Sequence, residues 1–499
     1  MSFGKNHRVM DSRRRWLALI VLCLGTLMIV LDTTIVNVAL PSIRDDLGFS
    51  ETSLAWVVNA YVLTYGGFLL LGGRLGDLLG ARRVFLVGLC LFTFSSLACG
   101  IADSQTFLVT ARAVQGVGGA VVSSVSLSLM LNLFTEQGER AKAMGLFGFV
   151  AAGGGSVGVL AGGLLTGAFD WHWIFLVNLP VGVLVLGLSL FLLPGGRGEG
   201  DFRHLDFAGA ITVTGALLVA VYAIVNGNSA GWTSARTLGL LGVAAALLAA
   251  FLVIESRVRA PLVPLNFFKL RNLTTASSAG ILWSAGMFAW FFLSALYLQI
   301  GLGYRPLLVG LAFLPSNAIM MAFSIGLSAK VVMRFGTRIP LALGLLLTSL
   351  GLVLFARAPV GGSFVRDVLP SMILLGIGAG LSLNPIMLAA MSEVPQDESG
   401  LASGVVNTAF MMGGALGLAV LASIAASRSS SLQAGGLGET AALVSGYHAA
   451  FVVGAMFTLA AAILGAVFVR EIVASAPHLH LPHHDHQHAG EPELEGATD

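Results

Sequence analysis

Asp32 and Arg112 are the residues with which chemistry can begin, because each lies inside a long apolar run. Asp32 falls in Leu31-Asp-Thr-Thr-Ile-Val-Asn-Val-Ala-Leu-Pro41, at the end of a run that starts at Trp16, and Arg112 sits just inside a run that starts near Thr106. Hydrocarbon penalises such a charge by about 3 kcal/mol or more, so an ionisable group there marks a functional site by default. The bland alternative is an Asp32 close enough to water to be merely solvated. At 1.5 Å per residue Arg112 lies ~9 Å and Asp32 ~13 Å from the same outer face, a comparable depth. A neighbouring cation favours the charged carboxylate, and desolvation favours the neutral acid. A carboxylate held between those influences can take up and release a proton, so Asp32 reads as a proton acceptor and Arg112 as the group that tunes it. The competing reading is a static salt bridge that fixes the first span against the fourth.

Composition sets the elements that must hold these groups. Of the 499 residues, 56% are hydrophobic and 10% charged, against about 25% charged in soluble chains. The chain is therefore an integral membrane protein in contact with a lipid bilayer. Runs of the ~20 apolar residues a span requires fall at 16–41, 53–74, 83–103, 106–134, 140–168, 173–193, 206–226, 236–256, 273–301, 307–330, 338–357, 368–391, 400–427 and 446–471. These fourteen spans make an all-α membrane fold, and an even count leaves both termini on one side. Arg44, Arg236, Arg305, Arg357, Arg366 and Arg428 lie in the odd-to-even loops and Arg112 in a span, while the rest of the 27 Lys and Arg lie in the tails and even-to-odd loops. That bias puts both termini in the cytoplasm. Arg13-Arg14-Arg15 precede a run that is too long for a signal peptide and lacks a cleavage site, so the first span is read as uncleaved. The net charge of +2 comes without a basic face, so no nucleic-acid partner is expected. Cys23, Cys90 and Cys99 are odd in number and lie in apolar runs, which reads as packing and not as a disulfide framework.

The spans also repeat. Gly73-Arg-Leu-Gly-Asp77-Leu-Leu-Gly80-Ala-Arg82-Arg83, between spans 2 and 3, is echoed by Ala329-Lys-Val-Val-Met333-Arg-Phe-Gly336-Thr-Arg338 between spans 10 and 11. Gly145, Gly154, Gly155 and Gly158 of span 5 recur as Gly404, Gly413, Gly414 and Gly417 of span 13. The expected organisation is a cytoplasmic tail at 1–15, a six-helix bundle at 16–193, linker helices 7 and 8 at 194–260, a second bundle at 261–471 and a His-rich disordered tail at 472–499. Parallel repeats of this kind build secondary transporters, with the substrate site at the repeat interface near mid-membrane. The charges are not repeated, since Met372 falls opposite Arg112 and Met287 or Phe288 opposite Asp32.

Two further stretches complete a set of motifs: Arg112-Ala-Val-Gln115-Gly116-Val-Gly118 in span 4, and Trp171-His-Trp173-Ile-Phe175-Leu-Val-Asn178-Leu-Pro180 after span 5. With the Asp32 and Gly73 to Arg83 stretches and the glycines of span 5, they make the chain resemble the fourteen-helix drug:proton antiporter family of the major facilitator superfamily over all its spans. The resemblance implies a multidrug-resistance transporter with a gating motif at Gly73, Asp77, Gly80, Arg82 and Arg83 and an antiporter helix at Gly154, Gly158, Gly162 and Gly163. Two positions depart from the family pattern. Gly158-Val159 stands where a Gly-Pro pair is usual, which removes the proline kink from span 5, and His172 stands where Arg is usual.

The motifs have physical readings of their own. Gly72, Gly76 and Gly80, like Gly154, Gly158 and Gly162, recur every four residues and form helix faces on which backbones approach closely. Such a face serves static packing or lets two halves rock. The Gly73 to Arg83 stretch reads as a cytoplasmic loop whose charges latch onto helix ends, or whose arginines only set topology. Candidate cavity residues are Asn59, Tyr61, Gln115, Trp283, Trp290, Tyr297, Gln299, Asn317, Asn384, Asn407, Phe410 and Met411. Aromatic and Met side chains with few polar groups suit small amphipathic substrates of varied shape, and a lipophilic cation could exchange for the Asp32 proton. His478, His480, His483, His484, His486 and His488 could bind Zn or Ni, but spacing so irregular defines no metal site, and no cofactor is expected. The Ser- and Gly-rich stretch 428–448 reads as an external flexible loop. No Gly-x-x-x-x-Gly-Lys-[Ser/Thr] phosphate loop occurs, so an ion gradient must drive any transport. The expectation is a proton-coupled exporter of drugs, dyes or antibiotics, a monomer in a bacterial inner membrane and not an enzyme. An exporter of lipid or of an endogenous metabolite, or a non-transporting sensor on the same fold, is the alternative.

Overall fold

The computed structural model describes residues 11–195, 206–258, 261–395 and 398–470. The histidines expected to form a tail, residues 1–10 and the linker segment 196–205 lie outside the described residues. Fourteen main helices follow one another: α1 (Ser12–Leu47), α2 (Trp56–Leu79), α3 (Ala81–Gly100), α4 (Gln105–Leu133), α5 (Gln137–Ala168), α6 (Asn178–Leu192), α7 (Phe207–Ala230), α8 (Ala235–Arg257), α9 (Arg271–Leu296), α10 (Pro306–Ala322), α11 (Arg338–Phe355), α12 (Leu369–Met391), α13 (Ser399–Ala434) and α14 (Glu439–Phe468). Among the described residues, thirteen helical stretches are long and apolar enough to cross a membrane, and Pro306–Ala322 is a shorter apolar helix. That helix continues through the wide turn Phe323–Leu327 into Ser328–Phe335, which completes the span. The chain is a multi-pass, all-α membrane protein.

Several boundaries differ from the hydropathy reading. Pro41 does not end α1, which runs on to Leu47 and stops at Gly48, a left-handed residue at φ 69° whose N–H returns to Arg44 O. The Gly73 to Arg83 stretch is not a loop: α2 stays helical to Leu79, and the chain turns at Gly80 alone. Gly80 adopts φ 91° and ψ 123°, a conformation that only glycine takes without strain. The expected loop at 428–448 is also mostly helix, with α13 running to Ala434 and α14 starting at Glu439. Its serines are compatible with helix because Ser429 satisfies its hydroxyl on Ala425 O at 2.9 Å, and Gly446 leaves room for the approach of α14 to Ser429.

Packing repeats as the glycines do. α1 lies on α5 and α9 on α13, while α5 meets α10 and α2 meets α13. A Cβ on Gly162 would sit 2.5 Å from Ile35 O, one on Gly154 would sit 2.9 Å from Val30 Cγ1, and one on Gly158 would strike Thr34 Oγ1. In the other repeat Gly413 faces the Ile281 backbone, Gly414 the Phe288 ring and Gly417 Ala285. Gly163 faces outward from its repeat, where a Cβ would sit 2.6 Å from Pro306 O. α5 is one continuous helix through Gly158-Val159. The α7–α8 pair packs through α7 on both α2 and α13, where Asn228 Nδ2 donates to Ser423 O at 2.7 Å.

Candidate functional site

α4 presents Arg112 and Gln115 on one face, since residues three apart are neighbours on a helix. That face meets Asp32 of α1. Arg112 Nη1 donates to Asp32 Oδ2 at 2.5 Å, and Gln115 Nε2 donates to Asp32 Oδ1 at 2.8 Å. Arg112 also donates from Nη1 to Gln115 Oε1 at 2.7 Å and from Nε to Val57 O at 3.0 Å. Its guanidinium lies 4.4 Å from the Tyr61 ring centroid and 5.4 Å from that of Phe175, so α2 supplies a π face as well as a carbonyl. Asp32 is 0% and Arg112 1% exposed. A charge pair this dry holds only if its remaining lone pairs and protons are also satisfied.

Two residues that the sequence reading did not assign supply that satisfaction. Asn178 Nδ2 donates to Asp32 Oδ1 at 3.1 Å and to Ser96 Oγ at 3.0 Å. Ser96 Oγ also accepts from Gln115 Nε2 at 3.1 Å and donates to Phe175 O at 3.0 Å. Asn178 reaches Asp32 because the chain makes one short turn, Trp173–Leu176, and restarts as α6 at Asn178. The signal available beforehand was a lone amide in an apolar run, inside a motif already singled out. Cys99 closes the edge, its Sγ 3.6 Å from Gln115 Oε1. α1, α3, α4 and α6 thus converge on one carboxylate. In the second repeat Met287 and Met372 are buried apolar side chains.

The glycines expected to form an antiporter helix pack on the stretch of α1 that carries this carboxylate. Gly158 packs against Leu31 and Thr34, and Gly162 against Ile35, so the α5 seam brackets Asp32 on α1. Of the residues expected to form a gating motif, Asp77 and Arg83 are exposed and Gly73 is half-buried in α2. Arg82 Nη2 donates to Leu190 O in the last turns of α6 at 2.5 Å. Arg338, its repeat partner, donates to Ala466 O near the end of α14. These contacts put a cation at a helix C-terminus, where exposed carbonyls attract it. Asp77 forms no ion pair among the described residues.

The expected cavity residues divide. Gln115 belongs to the Asp32 network. Tyr297 is buried with its hydroxyl on Pro359 O at 2.8 Å, and Asn384 Nδ2 donates to Ser324 O at 2.9 Å, both inside the second repeat. Asn407 Nδ2 donates to Ser403 O at 2.9 Å within its own helix, and Asn317 is buried. Gln299 Nε2 reaches across the repeats to Val38 O at 2.9 Å. Met411 likewise lies at the repeat contact, where a methyl added to Gly66 would come within 2.9 Å of its Cβ. Both amide atoms of Asn59, the Tyr61 hydroxyl and the indole N–H groups of Trp283 and Trp290 are buried without a hydrogen-bond partner. Trp283 packs edge-on to Phe410 at 6.0 Å, and Trp290 packs edge-on to Phe313 at 5.8 Å.

The sequence matches the family model of the Major Facilitator Superfamily over residues 22–418. The chain belongs to the major facilitator superfamily. This transporter is 39% identical over 464 residues to the puromycin resistance protein pur8 of Streptomyces alboniger, covering 93% of this chain and 92% of that one. It is 36% identical to the cephamycin export protein CmcT of Amycolatopsis lactamdurans, over 92% of this chain and 94% of that one. With the multidrug resistance protein Stp of Mycobacterium tuberculosis (strain H37Rv) the identity is 37%, over 83% and 76% of the two chains. Among solved structures, the POT family transporter PepTSo superposes with a TM-score of 0.65 at 15% identity, over 92% of this chain and 98% of that one. That likeness concerns the fold.

Proposed function

We propose that this transporter exports amphipathic compounds, cationic or neutral, in exchange for protons by alternating access of its two six-helix repeats. The observation that carries the reading is Asp32, a fully buried carboxylate whose cation and amide donors all come from the first repeat. When Asp32 is charged, Arg112, Gln115 and Asn178 bind it and draw α4 and α6 onto α1. When Asp32 takes a proton, Arg112 keeps Val57 O, Gln115 Oε1 and the Tyr61 face but loses its counter-ion. α1 is then free to shift along the glycine seam of α5, which has no side chains to disengage. A buried Asn59 amide and the unpartnered tips of Tyr61, Trp283 and Trp290, with Phe410 and Met411, supply the aromatic and polar groups for a soft-walled substrate site. A bacterial inner membrane with both termini in the cytoplasm is supported by the Lys and Arg bias and by bacterial relatives.

The relatives named for resistance and export support the outward direction. A second reading is an exporter of a lipid or an endogenous metabolite, and the cephamycin export protein is a relative named for the export of a single compound. The test is transport by purified protein in proteoliposomes after a pH jump, with dyes, antibiotics and lipids compared. Accumulation should depend on the proton gradient and disappear in Asp32→Asn. A correctly inserted Asp32→Asn protein that accumulates substrate at the wild-type rate removes Asp32 from the mechanism, and a wild type that moves no compound leaves a sensor.

A further inference from the structure

The face of the protein opposite the start of α1 and the end of α14 carries a contact between the repeats that centres on Glu51. Glu51 lies between α1 and α2, just ahead of the single turn Ser53–Ala55. Its Oε1 accepts from Arg44 Nη1 at 2.9 Å, within the first repeat. Arg44 is itself fixed, donating from Nε to Asp45 Oδ1 at 2.9 Å. Glu51 Oε2 faces the second repeat and accepts from the hydroxyl of Tyr447 on α14 at 3.4 Å. The residue borders a small cavity whose other walls all belong to the second repeat, among them Phe292 and Leu296 of α9, Ala422 and Ser429 of α13, and Tyr447. Tyr447 is 1% exposed, and both of its chain neighbours hold it in place. At Gly446, α14 comes so near α13 that a Cβ would sit 2.4 Å from Ala425 O, and His448 donates from Nε2 to Ala358 O at 2.9 Å. The bond from Gln299 to Val38 O crosses between the repeats at the same end. The α5 seam agrees. A Cβ on Gly163 would sit 2.6 Å from Pro306 O, and one on Gly310 would sit 2.9 Å from Val159 O. Farther from this end, a Cβ on Gly153 would come only to 3.6 Å from Met321 Sδ, and at Gly148 and Gly145 it would meet nothing within 4 Å among the described residues. The seam of α5 with α10 is closed at the Glu51 end and parted at the other.

Bonds within a repeat survive a rocking of the repeats, and bonds between them do not. Movement that opens this end withdraws Glu51 from the cavity and breaks its bond to Tyr447. Its pairing with Arg44 travels with the first repeat, so no charge is stranded as the end opens. We propose that Glu51 and Tyr447 form the clasp that holds this end of the transporter closed, with Arg44 as the residue that positions the carboxylate. The proposal rests on the alternating-access reading above and is independent of which compounds are carried. An ionised acceptor strengthens such a bond, while its length of 3.4 Å keeps the clasp weak enough to release in each cycle. Loss of one net hydrogen bond shifts an equilibrium by about threefold to tenfold, which is the expected effect of removing the clasp.

The test is pulsed electron–electron distance measurement on the full-length protein in liposomes, in a background lacking Cys23, Cys90 and Cys99. One nitroxide pair, on Asp103→Cys and Thr440→Cys, spans the Glu51 end, and a second, on Gly138→Cys and Met333→Cys, spans the other end; all four positions are exposed. Tyr447→Phe removes only the hydroxyl. It should raise the long-distance population of the first pair about threefold to tenfold and shift the second pair toward shorter distances. Glu51→Ala should do the same, and Arg44→Gln should move both pairs in the same directions. Because both partners serve one bond, adding Tyr447→Phe to Glu51→Ala should change the populations little further. A wild type that shifts between two distances across a pH titration, with Tyr447→Phe and Glu51→Ala matching it, overturns the clasp and leaves alternating access standing. So does a double variant whose effect is the product of the two single effects. One fixed distance for each pair, in the wild type at every pH and in every variant, overturns alternating access and the clasp with it. Should Glu51→Ala fail to fold, Tyr447→Phe decides alone.

Discussion

Replacing Arg112 by Met leaves Asp32 in a dry site with two neutral amide donors, Gln115 and Asn178. Removing one partner of a buried ion pair costs about 3–5 kcal/mol, because the other charge is stranded. Asp32→Asn should cost less. Asp32 accepts three bonds through two oxygens, whereas an Asn side chain has one acceptor oxygen and presents an NH2 group to at least one of the three donors. One charge-assisted bond is lost, about 1.5–3 kcal/mol, while the guanidinium keeps Val57 O, Gln115 Oε1 and the Tyr61 ring. If the pair acts as one unit, the double variant should cost little more than Arg112→Met alone, so the cycle should show a coupling close to the Asp32→Asn cost, about 1.5–3 kcal/mol. The assay is helix loss by circular dichroism as sodium dodecyl sulfate is titrated into mild-detergent micelles, for wild type, both single variants and the double. Additivity within about 0.5 kcal/mol, or an Asp32→Asn variant less stable than Arg112→Met, would refute the reasoning.

Other outcomes follow from the same contacts. Gly162→Ala drives a methyl to 2.5 Å from Ile35 O, a backbone atom that cannot rotate away, and should destabilise by about 1–3 kcal/mol. Gly145→Ala, where a methyl meets nothing within 4 Å, should instead stabilise by up to about 1 kcal/mol through helix propensity; the micelle titration compares the two. Asn178→Ala removes donors to both Asp32 and Ser96 and should cost about 1–3 kcal/mol, with slower proton-driven exchange in proteoliposomes. Gln299→Ala breaks a bond between the repeats worth about 1 kcal/mol. Thiol labelling of Ser42→Cys, a half-buried position one turn after Val38 on α1, in a background lacking Cys23, Cys90 and Cys99 should then rise about fivefold, and an unchanged rate would show that this bond does not hold the repeats closed.

Hydropathy and charge, read along the chain, established the membrane class, the spans, the duplication and the isolation of Asp32 and Arg112 in one repeat. Those properties are legible because the cost of a charge in hydrocarbon and the length of a span are local. They depend on what a residue is and on its nearest neighbours in sequence. The pairing of depths was also legible, since a constant rise per residue turns position into height.

Height does not give direction, and the tertiary structure decided what lay around each helix axis. Gln115 is a ligand of Asp32 because the rotation of α4 aims it there beside Arg112, and Asn178 joins them because a single turn resets the register before α6. The Gly73 to Arg83 stretch is helical up to Gly80 because α2 finds packing partners to its end, which polarity alone did not reveal. Tertiary packing also set α7 on α2 and α13 and buried Asp206 and Glu255. Contacts between residues far apart in sequence depend on how helices rotate and dock. Within an apolar span many rotations satisfy the lipid equally well, and only the packed neighbours select one.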